Sequence, residues 1–233
     1  MKKILIISIL SIGFIFNSNA QQWIEKSSCD KDASAIVNES IEHLANLEHL
    51  MAIGMARAAL VVDKDCECAK LVLAAAASNN KDWGSRSAKL QKINTNSLNG
   101  IEKAWFMLLS TSNENYQAAA KKAVAMHPDS PLINWLNTPY NDMEAMKKFV
   151  SKFPANSASA HNAIAYSQAR AGNYEAAYSS LFKSLTIHQG PNALDSQAEI
   201  AAMEGDYQKA VDSQLKAYDY APFASPYLPK LRT

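Results

Sequence analysis

The segment Ala171-Gly172-Asn173-Tyr174-Glu175-Ala176-Ala177 recurs as Glu204-Gly205-Asp206-Tyr207-Gln208-Lys209-Ala210, with the two glycines 33 residues apart. A helix-turn-helix unit of that length cannot bury its apolar face alone, so it stacks on copies of itself. Glycine suits the turn because it reaches left-handed backbone conformations at no steric cost. The period therefore predicts an all-α chain built as an α-solenoid. The usual work of such a fold is to hold another molecule.

Working outward, alanine supplies roughly a sixth of the chain and only 7 residues are glycine. Alanine orders into helices at the least entropic cost, and its small side chain lets helices approach closely. No segment alternates apolar and polar residues with period two, so no strand is expected. The last two helix pairs are Ser159–Ala171 with Tyr174–Ile187, and Asn192–Glu204 with Tyr207–Tyr220. Earlier helices are expected at Ala33–Leu47, Glu48–Val62, Cys66–Ser78, Trp83–Ile93, Leu98–Ser110, Asn115–Met126, Pro131–Leu136 and Asp142–Phe153. Asn96 or Ser97 stands where a cap for the Leu98 helix is needed. The whole reads as about six antiparallel pairs over residues 33–221, with an extension at 21–32 and a Pro-rich tail at 222–233.

The chain opens with Lys2-Lys3, then 13 apolar or small residues from Ile4 to Phe16, then Asn17-Ser18-Asn19-Ala20. That order fits a secretory signal peptide cleaved after Ala20. The apolar run falls short of the roughly 20 residues that a membrane span needs, so no membrane span is expected after cleavage. Loss of Lys2 and Lys3 takes Lys+Arg from 23 to 21 against 22 Asp+Glu, a net charge of −1. A near-neutral chain has no electrostatic attraction for nucleic acid. The expected location is the periplasm or the outside of the cell.

There are 3 cysteines, Cys29, Cys66 and Cys68. An odd count in an exported chain leaves one thiol over. Cys29 can pair with Cys66 or with Cys68, all three can stay as buried thiols, or Cys66-Glu67-Cys68 can take part in metal or redox chemistry. The CxC spacing matches neither the CxxC of redox sites nor a full zinc set.

The last two pairs resemble tetratricopeptide repeats. The residues that carry the resemblance are His161, Ile164-Ala165, Gln168, Gly172, Tyr174, Ala177, Leu181 and Ser184 in one copy. In the next they are Leu194, Gln197-Ala198, Ala201, Gly205, Tyr207, Ala210, Ala217 and Pro222. The resemblance implies a right-handed superhelix in which the first helix of each pair lines a concave groove. Its register assigns Ser159, Asn162, Tyr166 and Arg170 to that groove from one repeat, and Asn192, Asp195, Glu199 and Met203 from the next. Of these, Asn162, Tyr166, Arg170, Asp195 and Glu199 are the candidate ligand-binding residues. Relatives that clamp a C-terminal carboxylate use several cations there, whereas this chain offers only Arg170. The resemblance also implies that Tyr174 and Tyr207 pack on the first helices.

No catalytic residue is expected. GxSxG, P-loop and GxGxxG patterns do not occur. Glu42-His43 and Glu48-His49 lie six residues apart, which is not the i, i+4 placement of an HExxH zinc site. His127 precedes Pro128 at a helix C-terminus, where the helix dipole favours a cation. No metal and no cofactor are expected. The function this reading favours is non-enzymatic protein–protein contact or scaffolding in the cell envelope. The alternative is a glycan or peptide ligand held in the groove.

Overall fold

The computed structural model describes residues 22–222. The leader expected at 1–20 and all but the first residue of the Pro-rich tail lie outside the described residues. Within them the chain forms thirteen α-helices and one 3-10 turn, with no strand. The first hairpin is α1 (Lys31–Ala45) on α2 (His49–Val62). Next come α3 (Glu67–Ala75), α4 (Asn80–Gly84), α5 (Arg86–Leu90), α6 (Gly100–Ser110), α7 (Asn113–Met126), α8 (Pro131–Asn137) and α9 (Met143–Lys152). A 3-10 turn at Pro154–Asn156 leads to α10 (Ala158–Arg170) on α11 (Tyr174–Ile187). The last hairpin is α12 (Pro191–Glu204) on α13 (Tyr207–Tyr220). Helices pack chiefly on their neighbours in sequence.

The turns explain the hairpins. Gly172 and Gly205 adopt φ of 77° and 91°, the left-handed conformation expected of them. In the α10 turn the Gly172 N–H bonds Ala169 O at 2.9 Å and the Asn173 N–H bonds Gln168 O at 2.9 Å. The α12 turn repeats this pattern, from Gly205 to Ala202 O at 3.2 Å and from Asp206 to Ala201 O at 2.9 Å. These are Schellman closures, which satisfy carbonyls that a helix end leaves open. The α1 turn has the same closure, from Leu47 to Leu44 O at 3.1 Å and from Glu48 to His43 O at 2.9 Å. There the left-handed position is held by Leu47, at φ 62°, the one non-glycine with positive φ among the described residues. The first hairpin is thus built like the last two, without their glycine signature.

A leucine in that conformation costs roughly 1–2 kcal/mol. Leu47 is half exposed and contributes little packing. Leu47→Gly should therefore raise the free energy of unfolding by about 1 kcal/mol, read from urea denaturation. An unchanged or lowered midpoint would show that the leucine side chain outweighs the strain.

Two expectations need correction. The single helix expected at Trp83–Ile93 is instead α4 and α5, joined at Ser85. Gly84 is a weak helix former, and Ser85 Oγ donates to Asp82 O at 2.6 Å, competing with the helical ladder. The cap of α6 is Asn99, not Asn96 or Ser97. Its Oδ1 accepts from the Glu102 N–H at 2.9 Å while the Glu102 carboxylate accepts from the Asn99 N–H at 2.9 Å, a reciprocal capping box.

The segment before α1 belongs to the core. Trp23 and Ile24 are fully buried. The Ile24 N–H donates to Asn38 Oδ1 at 2.9 Å, and the Ser28 N–H donates to Glu102 Oε1 at 2.7 Å. The disulfide joins Cys29 to Cys66, tying this segment to the start of α3. Cys68 keeps a free thiol. Burial and the neighbouring Glu102 push that thiol well above its ordinary pKa, so it stays protonated and unreactive.

One continuous core runs from Trp23 to Ala163, and a second joins α10, α11 and α12 around Ala165, Ala177 and Ile200. A third cluster joins the first hairpin to the last. Leu50 and Met51 of α2 pack on Leu194, Ala217 and Ala221 of the last hairpin. A strictly neighbour-to-neighbour stack would not make that contact. Among the described residues no helix is long and apolar enough to cross a membrane.

Candidate functional site

Four places carry chemistry: the repeat seam read from sequence, a cleft beside α1, a tryptophan-lined pocket, and a buried cluster where the first and last hairpins meet.

The repeat seam brings three of the five candidate residues together. The Tyr166 hydroxyl donates to the Glu199 carboxylate across one repeat period. The Arg170 guanidinium lies 5.9 Å from the Tyr166 ring centroid. Burial and the bond to Glu199 raise the Tyr166 pKa, so the phenol remains a donor. Asn162 and Asp195 are buried between helices and offer little to a ligand. Ser159 is buried as well. Tyr166 and Glu199 therefore brace one repeat against the next, and only the rim of this seam faces solvent.

The two tyrosines after the glycines differ. Tyr174 packs and its hydroxyl donates to Met203 O at 3.0 Å on the following hairpin. Tyr207 is 72% exposed, against expectation. Among the described residues no hairpin follows α13 to cover it.

A cleft of about 1120 Å³ lies between the N-terminal segment with α1 on one side and Ala155 and Ile187 on the other. Glu25, Lys26, Lys31 and Glu39 give it both signs of charge, and Ile36 adds an apolar floor. A smaller pocket of about 390 Å³ is lined by Trp83, Trp105, Trp135, Tyr116, Arg86 and Leu47 among others. There the Arg86 guanidinium stacks 3.8 Å from the Trp83 ring centroid. Burial lowers the Arg86 pKa, and its Nε has no partner among the described residues.

The buried cluster is the most heavily built of the four. Glu48 follows the strained Leu47 and immediately precedes α2. Its Oε2 accepts from His43 Nδ1 at 2.6 Å and from His188 Nε2 at 2.9 Å. Its Oε1 accepts from the Asn192 N–H at 3.1 Å, serving as a cap for α12 from 144 residues away. The His43 and His188 rings meet edge to face, 5.1 Å apart at 78°. Behind His188, Nδ1 lies 3.8 Å from Glu42 Oε1. Glu42 accepts from Trp23 Nε1 at 2.6 Å and from Asn46 Nδ2 at 2.6 Å. Gly190 is required by close approach, since a Cβ there would lie 2.1 Å from Glu48 Oε1 and 2.5 Å from His188 Nε2.

Burial pulls the Glu48 carboxyl upward, but the bonds from His188 and His43 outweigh it and leave the pKa below the usual value. Burial alone would depress His188, yet its bond to Glu48 and the nearby Glu42 leave it raised. Glu42 moves the other way, its pKa raised chiefly by burial. His49, paired with His43 in the sequence reading, lies elsewhere and accepts from the Ala77 N–H at 3.1 Å. Nothing local linked His43 with His188, because the fold alone brings these distant positions together.

Family models, curated proteins and solved structures were compared with the chain, and none matches it.

Proposed function

We propose that this is an exported, non-catalytic helical-repeat protein, a solenoid of tetratricopeptide-like hairpins whose last hairpin also touches the first, that holds a partner protein in the cell envelope. The carrying observation is the cleft of about 1120 Å³ beside α1, with its mixed charge and apolar floor. Its size and lining suit an extended polypeptide, which presents alternating polar and apolar groups. The three equivalent hairpin closures support the repeat reading, and the signal-like N-terminus supports export. The step from repeat fold to binding is an analogy that the cleft makes concrete.

Photo-crosslinking in the native envelope tests this. A crosslinking residue at Ile36, inside the cleft, should trap a discrete partner. The same residue at Val61, which is 87% exposed on α2, should not. The same adducts at both positions, or none at Ile36, would reject the cleft.

The pocket of about 390 Å³ favours a second reading, a glycan ligand stacked on tryptophan. In that case Trp83→Ala abolishes binding on a glycan array while crosslinking at Ile36 gives no partner.

A further inference from the structure

The geometry points to a divalent transition-metal site, zinc in class, held by His43 Nδ1, His188 Nε2 and the Glu48 carboxylate. These three ligand atoms lie within 4.8 Å of one another. With Zn–N and Zn–O bonds of about 2.0–2.2 Å, donors around a tetrahedral ion stand roughly 3.4 Å apart. The 2.6 Å and 2.9 Å contacts from the histidines to Glu48 are both shorter than that spacing, and an entering ion would open them by side-chain rotation. Two imidazoles and one carboxylate match the ligand types of three-coordinate zinc centres, which leave the fourth position to water.

Three features go beyond a chance meeting of polar side chains. The first is the carboxylate behind the ligand. His188 turns its second ring nitrogen toward Glu42, 3.8 Å away, and Glu42 is itself fixed by Trp23 and Asn46. Metal-bound histidines are commonly oriented this way. The second is the steric provision at Gly190, where any side chain would strike both Glu48 and His188. The third is the left-handed Leu47, which sets Glu48 directly against His43 and is a strained residue at a point of chemistry. The ligands come from α1, the start of α2 and the loop before α12. A bound ion would therefore join the first hairpin to the last.

The cluster needs no metal to satisfy its hydrogen bonds, so the experiment must separate an ion site from a hydrogen-bonded brace. The purified full-length protein is stripped with chelator under non-reducing conditions, which keep the Cys29–Cys66 bond. It is then titrated with Zn²⁺ by calorimetry. The wild type should take up one equivalent and gain thermal stability that rises with the logarithm of free zinc above its Kd. His188→Gln should abolish uptake, Glu42→Gln should weaken it about 10–100-fold, and His161→Gln should leave it unchanged. If His188→Gln fails to fold, Co²⁺ loading of the wild type decides. Strong d–d bands of a tetrahedral nitrogen–oxygen site support the assignment. Absence of those bands, no zinc uptake by the wild type, or equal uptake by His188→Gln would overturn it.

Discussion

Glu48→Ala should lower the stability of the chelator-treated protein by about 3–5 kcal/mol, the cost of removing one partner from a buried charged network. The side chain is 1% exposed and receives bonds from two imidazoles and the Asn192 N–H. Truncation leaves those three donors buried without an acceptor, and each unsatisfied group costs about 1–3 kcal/mol. It also uncaps α12 and loosens the contact between the first and last hairpins. Glu48→Gln keeps the shape and one acceptor oxygen, so it should cost less than half as much. Urea unfolding with an unchanged slope would measure both. A Glu48→Ala loss under 1 kcal/mol would mean that water replaces the carboxylate and that the junction is weak.

The second large effect concerns the disulfide. Cys29 and Cys66 are 37 residues apart, and closing a loop of that length stabilises a fold by about 4 kcal/mol in the chain-entropy account. Reduction, or Cys29→Ser with Cys66→Ser, should remove about that much. The loss should concentrate at the N-terminal segment, where Trp23 and Ile24 sit in the core. Comparing denaturation midpoints with and without reductant tests it. The wild type should be sensitive to reductant, the double variant insensitive, and Cys68→Ser as sensitive as the wild type. A reductant effect that survives in the double variant would refute this pairing.

These two contacts show where sequence reading reached and where it stopped. The Gly-x-Tyr period located the last two hairpins almost to the residue, because capping and turn stereochemistry act within a few positions along the chain. Sequence also placed the break between the first two helices at Leu47 and Glu48, but not its left-handed closure, because a leucine stands where the later turns have glycine and only the backbone reveals it. The register of the resemblance assigned Tyr166 and Glu199 to a ligand groove, and in the fold the two side chains bond each other. The resemblance assigns groove positions one by one and carries no information on contacts between them.

Residue order alone determined that this chain is helical, where most helices begin and end, and that its last hairpins repeat. Those properties follow from local propensity and from apolar spacing of three and four residues. Tertiary structure decided which cysteine Cys29 meets, that Trp23 and Ile24 enter the core, and that His188 reaches His43 and Glu48. The physical reason is range. A helical turn is specified by its own few residues, whereas a contact spanning 140 positions depends on the summed angles of every hairpin between them.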